Sequence, residues 1–202
     1  ARVQNLKDVG DAIRMRELVE EGAEDAVVIG AGFIGLEIAE ALKAQGLTVT
    51  IADLAPHVLP NAEPEIAARI TTEARRLGIR VETNTSVTGI VPGEYKDTVR
   101  LSNGKSLPAD IIVTSIGVRP ATDIFEKVGV KTEKGAIVVD EHGRTNLPDV
   151  WAGGDATMST DPITGAHRLV PLAGPANRAG RLIADDIMKG EDDVEPRRIA
   201  QP

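Results

Sequence analysis

Three glycines, Gly30, Gly32 and Gly35, stand in the spacing G-x-G-x-x-G inside the stretch AVVIGAGFIGLEIAEALKAQGLTVTIAD, which runs from Ala26 to Asp53 and ends on a carboxylate. Each glycine has a separate task. The first allows a tight turn off a strand, the second lets the backbone approach a pyrophosphate, and the third lets a helix pack closely on a sheet. The first turn of that helix offers unpaired N–H groups at the positive end of its dipole, so the backbone alone makes an anion site. An acid at the end of the following strand accepts both ribose hydroxyls of an adenosine and repels a 2′-phosphate. A bare strand-helix-strand unit with incidental glycines is the plainer alternative. The context on both sides of the glycines favours the dinucleotide.

A second constellation lies in TNLPDVWAGGDA, Thr145 to Ala156. The apolar trio Val150, Trp151 and Ala152 predicts a strand, and Gly153, Gly154 and Asp155 follow it. A strand ending in Gly-Asp presents a carboxylate beside bare backbone, which suits a polyol hydroxyl. Alone, Gly-Gly-Asp is an ordinary turn, and its pairing with the first cluster gives it weight.

The remaining polar residues offer less chemistry. The chain contains no cysteine, so it supplies no disulfide, thiolate metal site or thiol nucleophile. His57, His142 and His167 are far apart in sequence and lack the spacing of metal ligands. Glu63, Glu65, Glu191, Asp192 and Asp193 read as solvated acids. No Ser, His and Asp arrangement is recognisable. No metal site is therefore expected within these residues.

The elements that must position the glycines follow from pattern. Ala26 to Ile29 is short, apolar and without alternation, as in a parallel strand buried on both faces. A helix through Leu36, Ile38, Ala39, Ala41 and Leu42 closes at Gly46, and Thr48 to Ala52 is the next strand. Before them, Asn5 to Glu21 predicts a lead-in helix ending at Gly22. After them come a helix over Pro64 to Leu77, strands at Ile79 to Glu82 and Ser86 to Val91, and a hairpin around Val99 to Leu107. Asn103-Gly104 predicts a type I′ turn there. Asp110 to Ser115 is another buried strand. Beyond Gly117 the elements shorten: a helix over Thr122 to Val128, strands at Ala136 to Val139 and Val150 to Ala152, and a helix over Pro175 to Met188. The second part has few strands for a core of its own.

The expected organisation is a lead-in helix over 1–23, a nucleotide-binding domain over 24–117, part of a second domain over 118–190, and a polar tail over 191–202. Composition bounds the partners. Of 202 residues, 42% are hydrophobic and 27% charged, which is typical of a globular chain. A net charge of −8 with scattered Lys and Arg, and 2% aromatics, argues against nucleic acid. No apolar run of about 20 residues predicts a membrane span. The N-terminus lacks the pattern of a secretory signal, so a cytoplasmic location is expected.

GAGFIGLEIAEAL with Asp53, SIGVRP at Ser115 to Pro120, TNLPDVWAGGDA, and LVPLAGPANRAGRLIADDI at Leu169 to Ile187 occur together in one order. In this the chain resembles the pyridine nucleotide-disulfide oxidoreductases, in the branch of coenzyme A disulfide reductase, NADH oxidase and NADH peroxidase. The resemblance covers about four-fifths of the chain. It implies an α/β fold with a Rossmann-like NAD-binding domain, a parallel sheet with an antiparallel excursion, joined to a partial FAD-binding domain. The family's first FAD glycine motif, redox cysteine and interface domain have no counterpart here.

By position, the resemblance assigns Gly30, Gly32, Ile34, Gly35 and Asp53 to NAD, with NADH preferred over NADPH. Phe33 matches an aromatic that shields the nicotinamide pocket, and its alternative role is packing within the first helical turn. Glu37 matches an acid facing the flavin that pairs with a lysine from elsewhere in the family's chain. Gly117 lets the nicotinamide side approach the backbone. Gly154 and Asp155 match the FAD ribitol site, and Leu172, Ala173 and Gly174 the helix entrance near the flavin pyrimidine. Implied for a parent protein are hydride transfer from NADH to FAD, a small-molecule disulfide, polysulfide or oxygen acceptor, and a homodimer. These 202 residues alone are expected to bind NAD, to hold FAD weakly and not to turn over. A non-catalytic NAD-binding sensor or regulatory module is the alternative.

Overall fold

The computed structural model describes residues 2–161 and 163–189. The polar tail expected over 191–202 lies outside the described residues. Two compact units divide the chain between Gly117 and Val118.

The first unit contains β1 (Val3–Gln4), α1 (Val9–Glu20), β2 (Asp25–Ile29), α2 (Phe33–Ala44), β3 (Thr48–Ala52), α3 (Pro64–Arg76) and β4 (Arg80–Glu82). Three antiparallel strands follow, β5 (Val87–Val91), β6 (Asp97–Leu101) and β7 (Ser106–Ala109), and then β8 (Ile111–Thr114). The order β1-β8-β2-β3-β4 forms one parallel sheet. Ile29 is in register with both Ala52 and Thr114, so the carboxyl ends of the three inner strands are level. From β2 the chain proceeds to β3 and β4 on one side and later to β8 on the other. The loop after β2 therefore sits where the strand order reverses, which is where open α/β sheets bind ligands.

Burial on both faces explains why these strands lack alternation. Val28, Val49, Ile51, Ile111 and Val113 pack with Ile38, Ala39 and Leu42 of α2, Ala67 and Ala74 of α3 and Met15 of α1. Val27, Ala52 and Ile112 point the other way, against Val99, Leu101 and Ala109 of the antiparallel sheet. Fully burying a Val, Leu or Ile side chain is worth roughly 1.5–3 kcal/mol. The excursion is thus the second cover of the parallel sheet.

Three details depart from the expected pattern. First, α1 starts at Val9 because Asp8 caps it: the Asp8 side chain accepts from Asp11 N, and the Asp11 carboxylate accepts from Asp8 N. Upstream, Val3 and Gln4 pair with Ile112 and Val113, a two-residue strand too short to show periodicity. Arg2 secures it by donating to Asp97 Oδ1 at 2.7 Å and to the carbonyls of Gly93, Glu94 and Tyr95. Second, the Asn103-Gly104 turn is not type I′, since only Gly104 has positive φ, +83°. Gly104 N donates to Leu101 O and Leu101 N to Lys105 O, which makes a longer loop with glycine in the left-handed position. Third, β5 begins at Val87, and its register with β6 shifts between Val87 and Gly89.

The second unit contains α4 (Asp123–Lys127), β9 (Thr132–Glu133), β10 (Ala136–Val138), β11 (Thr157–Thr160), β12 (His167–Leu169) and α5 (Ala173–Lys189). Its sheet has the order β12-β11-β10-β9, with β10 and β11 parallel and the outer pairs antiparallel. Ala136, Ile137, Met158 and Ala179 are buried, and the buried Thr122 hydroxyl donates to Gly135 O at 2.7 Å. The expected strand at Val150 to Ala152 does not form: Trp151 makes only an isolated bridge with Arg144. The sheet strand lies after the Gly-Asp instead, at β11, so Asp155 occupies a turn ahead of a strand rather than a strand end. β9, β11 and β12 escaped the sequence pattern because they are short and polar, with TE, TMST and HRL as their sequences.

Candidate functional site

The turn off β2 depends on Gly30. Its N–H donates to Ala52 O at 2.9 Å, and its φ of +105° belongs to glycine. A Cβ at Gly30 would stand 2.2 Å from Ser115 O, and one at Gly35 would stand 2.0 Å from Gly30 O. Gly32 differs, for a Cβ there would meet nothing within 4 Å. Two glycines are thus fixed by packing of the chain on itself, and the middle one faces open space. Gly32 is also the N-cap of α2, and no side chain caps that end. The residues therefore fit an anion that approaches Gly32 and takes the free amides of the first helical turn.

Asp53 follows β3 and turns back to this loop. Its Oδ2 accepts from Ala31 N at 2.6 Å and its Oδ1 from Ala55 N at 2.7 Å. Ala31 O in turn accepts from Leu59 N at 2.8 Å. The acid and the glycine loop are thus in direct contact, which sequence spacing alone does not reveal.

Phe33 and Ile34 sit on the first turn of α2, 68% and 44% exposed, so neither joins the core of this unit. The packing role considered for Phe33 is therefore not taken up within the unit. Glu37, one turn further along α2, is exposed to solvent. Gly117, two residues past Ser115, has φ of +101° with open space at its Cβ position.

In the second unit, Gly153 is a packing glycine whose Cβ would stand 2.9 Å from Ile183 Cδ1, whereas Gly154, φ +97°, faces open space. Thr157 holds the turn by donating N–H and Oγ1 to Gly154 O. Asp155 is exposed. Helix α5 starts at Ala173, two residues before the expected Pro175, so Ala173 and Gly174 lie in its first turn. Leu172 precedes them, 54% exposed.

Sequence reasoning missed a buried cluster in the same unit. The Asp186 carboxylate on α5, 1% exposed, accepts from Arg144 Nε at 2.8 Å and Nη2 at 3.0 Å and from Trp151 Nε1 at 2.8 Å. His142 Nδ1 stands 3.1 Å from Asp186 Oδ1, the oxygen that accepts from Arg144 Nη2. The Arg144 hydrogen bonds, against the opposing effect of burial and with help from Trp151, hold the Asp186 carboxyl below its ordinary range. Only the run of His142, Arg144 and Trp151, ahead of an acid in a helix, could have signalled it. His167 likewise has a carboxylate partner, Glu133 Oε2 at 2.8 Å, and His57 Nδ1 meets Val58 O. Among the described residues no group of three His, Cys, Asp or Glu could hold a metal, and no helix is long and apolar enough to cross a membrane.

The family model described as pyridine nucleotide-disulphide oxidoreductase matches residues 2–180. An NADH oxidase of Methanocaldococcus jannaschii is 35% identical over 187 residues, 92% of this chain and 41% of that protein. The structure of a NAD-dependent persulfide reductase from A. fulgidus has a TM-score of 0.88 at 40% identity, covering 96% of this chain and 36% of that one. An engineered water-forming NADPH oxidase, a mutant of the Lactobacillus brevis NADH oxidase bound to NADPH, has a TM-score of 0.84 at 27% identity, over 94% of this chain and 42% of that one. The chain spans about two fifths of the length of the curated relatives it matches. Its Rossmann-like architecture, its two glycine-acid turns and the match over nearly its whole described length place this chain in the pyridine nucleotide-disulphide oxidoreductase family.

Proposed function

We propose that the first unit is the NAD-binding part, and the second unit the adjoining segment of the FAD-binding part, of a flavoprotein that oxidises NADH. The observation that carries this reading is the glycine loop at the reversal of strand order, with open space at Gly32, an uncapped helix end and Asp53 against the loop. Gly30, Gly32 and Gly35 would admit the pyrophosphate, Asp53 would accept the ribose hydroxyls, and Phe33, Ile34 and Gly117 would border the nicotinamide. In the second unit the open backbone at Gly154, exposed Asp155 and the uncrowded start of α5 at Leu172, Ala173 and Gly174 fit a flavin ribitol and ring. Bound flavin supplies a hydride acceptor between nicotinamide and the final substrate. The helix dipole and N–H groups of α5 would favour negative charge beside its entrance.

NADH is the proposed nucleotide in preference to NADPH. Leu54, Ala55, Pro56 and His57 provide no Lys or Arg for a 2′-phosphate, and Asp53 repels it. The engineered NADPH oxidase supports this reading. Four of its five substitutions replace an aspartate and the alanine after it with alanine and arginine, a glycine eighteen residues earlier with alanine, and a proline seven residues later with arginine. Gly35, Asp53, Leu54 and Pro60 have that spacing here. Ala31 and Ala55 N–H take two of the acceptor positions of Asp53, so a 2′-phosphate would meet charge repulsion and also deprive the remaining positions of the hydroxyl bonds.

A small-molecule disulfide, polysulfide or oxygen is the proposed acceptor, in a cytoplasmic homodimeric parent. Anaerobic addition of NADH to the full-length protein tests the reading: flavin absorbance should bleach. Flavin that is present and stays oxidised would remove it.

A further inference from the structure

Ala31, in the middle of the glycine loop, is held on both sides by the segment after β3. Its N–H donates to Asp53 Oδ2 at 2.6 Å, and its carbonyl accepts from Leu59 N at 2.8 Å. Neither partner is free to drift. Asp53 is fixed through its other oxygen by Ala55 N at 2.7 Å. Leu59 adopts φ of +48°, a left-handed conformation that is a genuine outlier for a bulky residue. It is kept there between buried Val58, 0% exposed and part of the same core as Ala31, and a bond from Ala62 N to its own carbonyl. Such a conformation persists where the surroundings over-determine it.

We propose that Asp53 is a positioning residue for the glycine loop as well as the acceptor for ribose hydroxyls. This rests on the nucleotide site put forward above and deepens it: through Ala31, Asp53 sets where the free amides ahead of α2 point. A carboxylate offers about four lone-pair positions, and two are taken by Ala31 and Ala55, so two are left for the hydroxyls. Phosphate binding and ribose recognition are then coupled through one side chain. A change at Asp53 weakens the phosphate site even for a nucleotide that has no hydroxyl for Asp53 to touch.

The test uses 2′,3′-dideoxyadenosine diphosphate beside NADH, titrated calorimetrically into the purified protein and its Asp53→Asn variant. An amide keeps one acceptor oxygen and turns an NH2 group toward the second N–H, so one bond to a backbone donor is lost. Dideoxy-nucleotide affinity should fall roughly tenfold or more. Amide exchange at Ala31 should accelerate while Val27 and Val28 stay protected, which separates loop release from unfolding. Asp53→Ala, which removes both acceptor oxygens, carries the same comparison where Asp53→Asn fails to fold or keeps its amide oxygen on Ala31 N. Unchanged dideoxy-nucleotide affinity with weakened NADH would overturn the proposal and leave Asp53 a hydroxyl acceptor only. A wild-type protein that binds neither ligand would instead defeat the nucleotide site itself.

Discussion

Gly30 and Ser115 approach so closely that a Cβ on Gly30 would stand 2.2 Å from the Ser115 carbonyl oxygen. The first glycine is therefore a packing requirement between two parallel strands as well as a turn. Gly32, one residue past Ala31, has no such neighbour.

The two positions should respond differently to alanine. Gly30→Ala meets both the Ser115 carbonyl and a positive φ, and should destabilise the fold by roughly 2–4 kcal/mol. Gly32→Ala, at φ −73°, should leave stability within about 0.5 kcal/mol while the new methyl group blocks the approach of the pyrophosphate. Chemical denaturation and NADH titration on both variants check this. Equal stability losses would show that the loop is not divided in this way.

Asp186 gives a pH prediction. Its carboxyl lies below the ordinary range in the folded state, so its contribution is present above the unfolded value of about 4 and is lost as pH falls through the folded one. Asp186→Asn removes the buried carboxylate that accepts from Arg144 and Trp151 and should cost about 1–3 kcal/mol near neutrality. The difference from wild type should shrink in acid below pH of about 4. Melting curves across pH measure it, and a difference that does not change with pH would contradict the assignment.

Lys96 ties the antiparallel sheet to the amino ends of the parallel strands, reaching Asp25 at 2.6 Å, Glu24 at 2.9 Å and Asp110 at 3.2 Å. Its hydrogen bonds to Asp25, then Glu24, raise its pKa above the ordinary lysine range. Lys96→Met should lower the Tm, and the loss should diminish as salt rises. NADH affinity should be unaffected, since the glycine loop is at the opposite strand ends.

Asp155→Ala in the full-length protein should weaken flavin retention during dialysis without changing NADH affinity. Retention equal to wild type would remove Asp155 from the flavin site.

Much of the first unit was legible because its strands are buried on both faces. That burial writes itself as apolar runs such as Val27 to Ile29, and glycine marks where they end. Thr48 to Ala52 was readable for this reason, and Pro64 to Arg76 was readable to within a residue because Pro64 suits a first helical turn and Gly78 an exit. The second unit was less legible. Its strands are short and polar, so Thr157 to Thr160 carries no period, while Val150 to Ala152, apolar enough for a strand, instead directs Trp151 toward Asp186. Contacts between distant residues were hidden too: Asp53 with Ala31, Asp186 with Arg144, and Leu59 in its left-handed conformation have no local signature. The motifs named a candidate site, and the bonds around it came from the fold.

The proposed nucleotide site is made by Gly30, Gly32, Gly35 and Asp53 and takes NADH. Calorimetric titration of NADH and NADPH into the purified protein tests it most directly. NADH should bind saturably, NADPH should bind more weakly by roughly tenfold or more, and Asp53→Ser should narrow the difference. Equal or tighter binding of NADPH, or no binding of NADH, would contradict it.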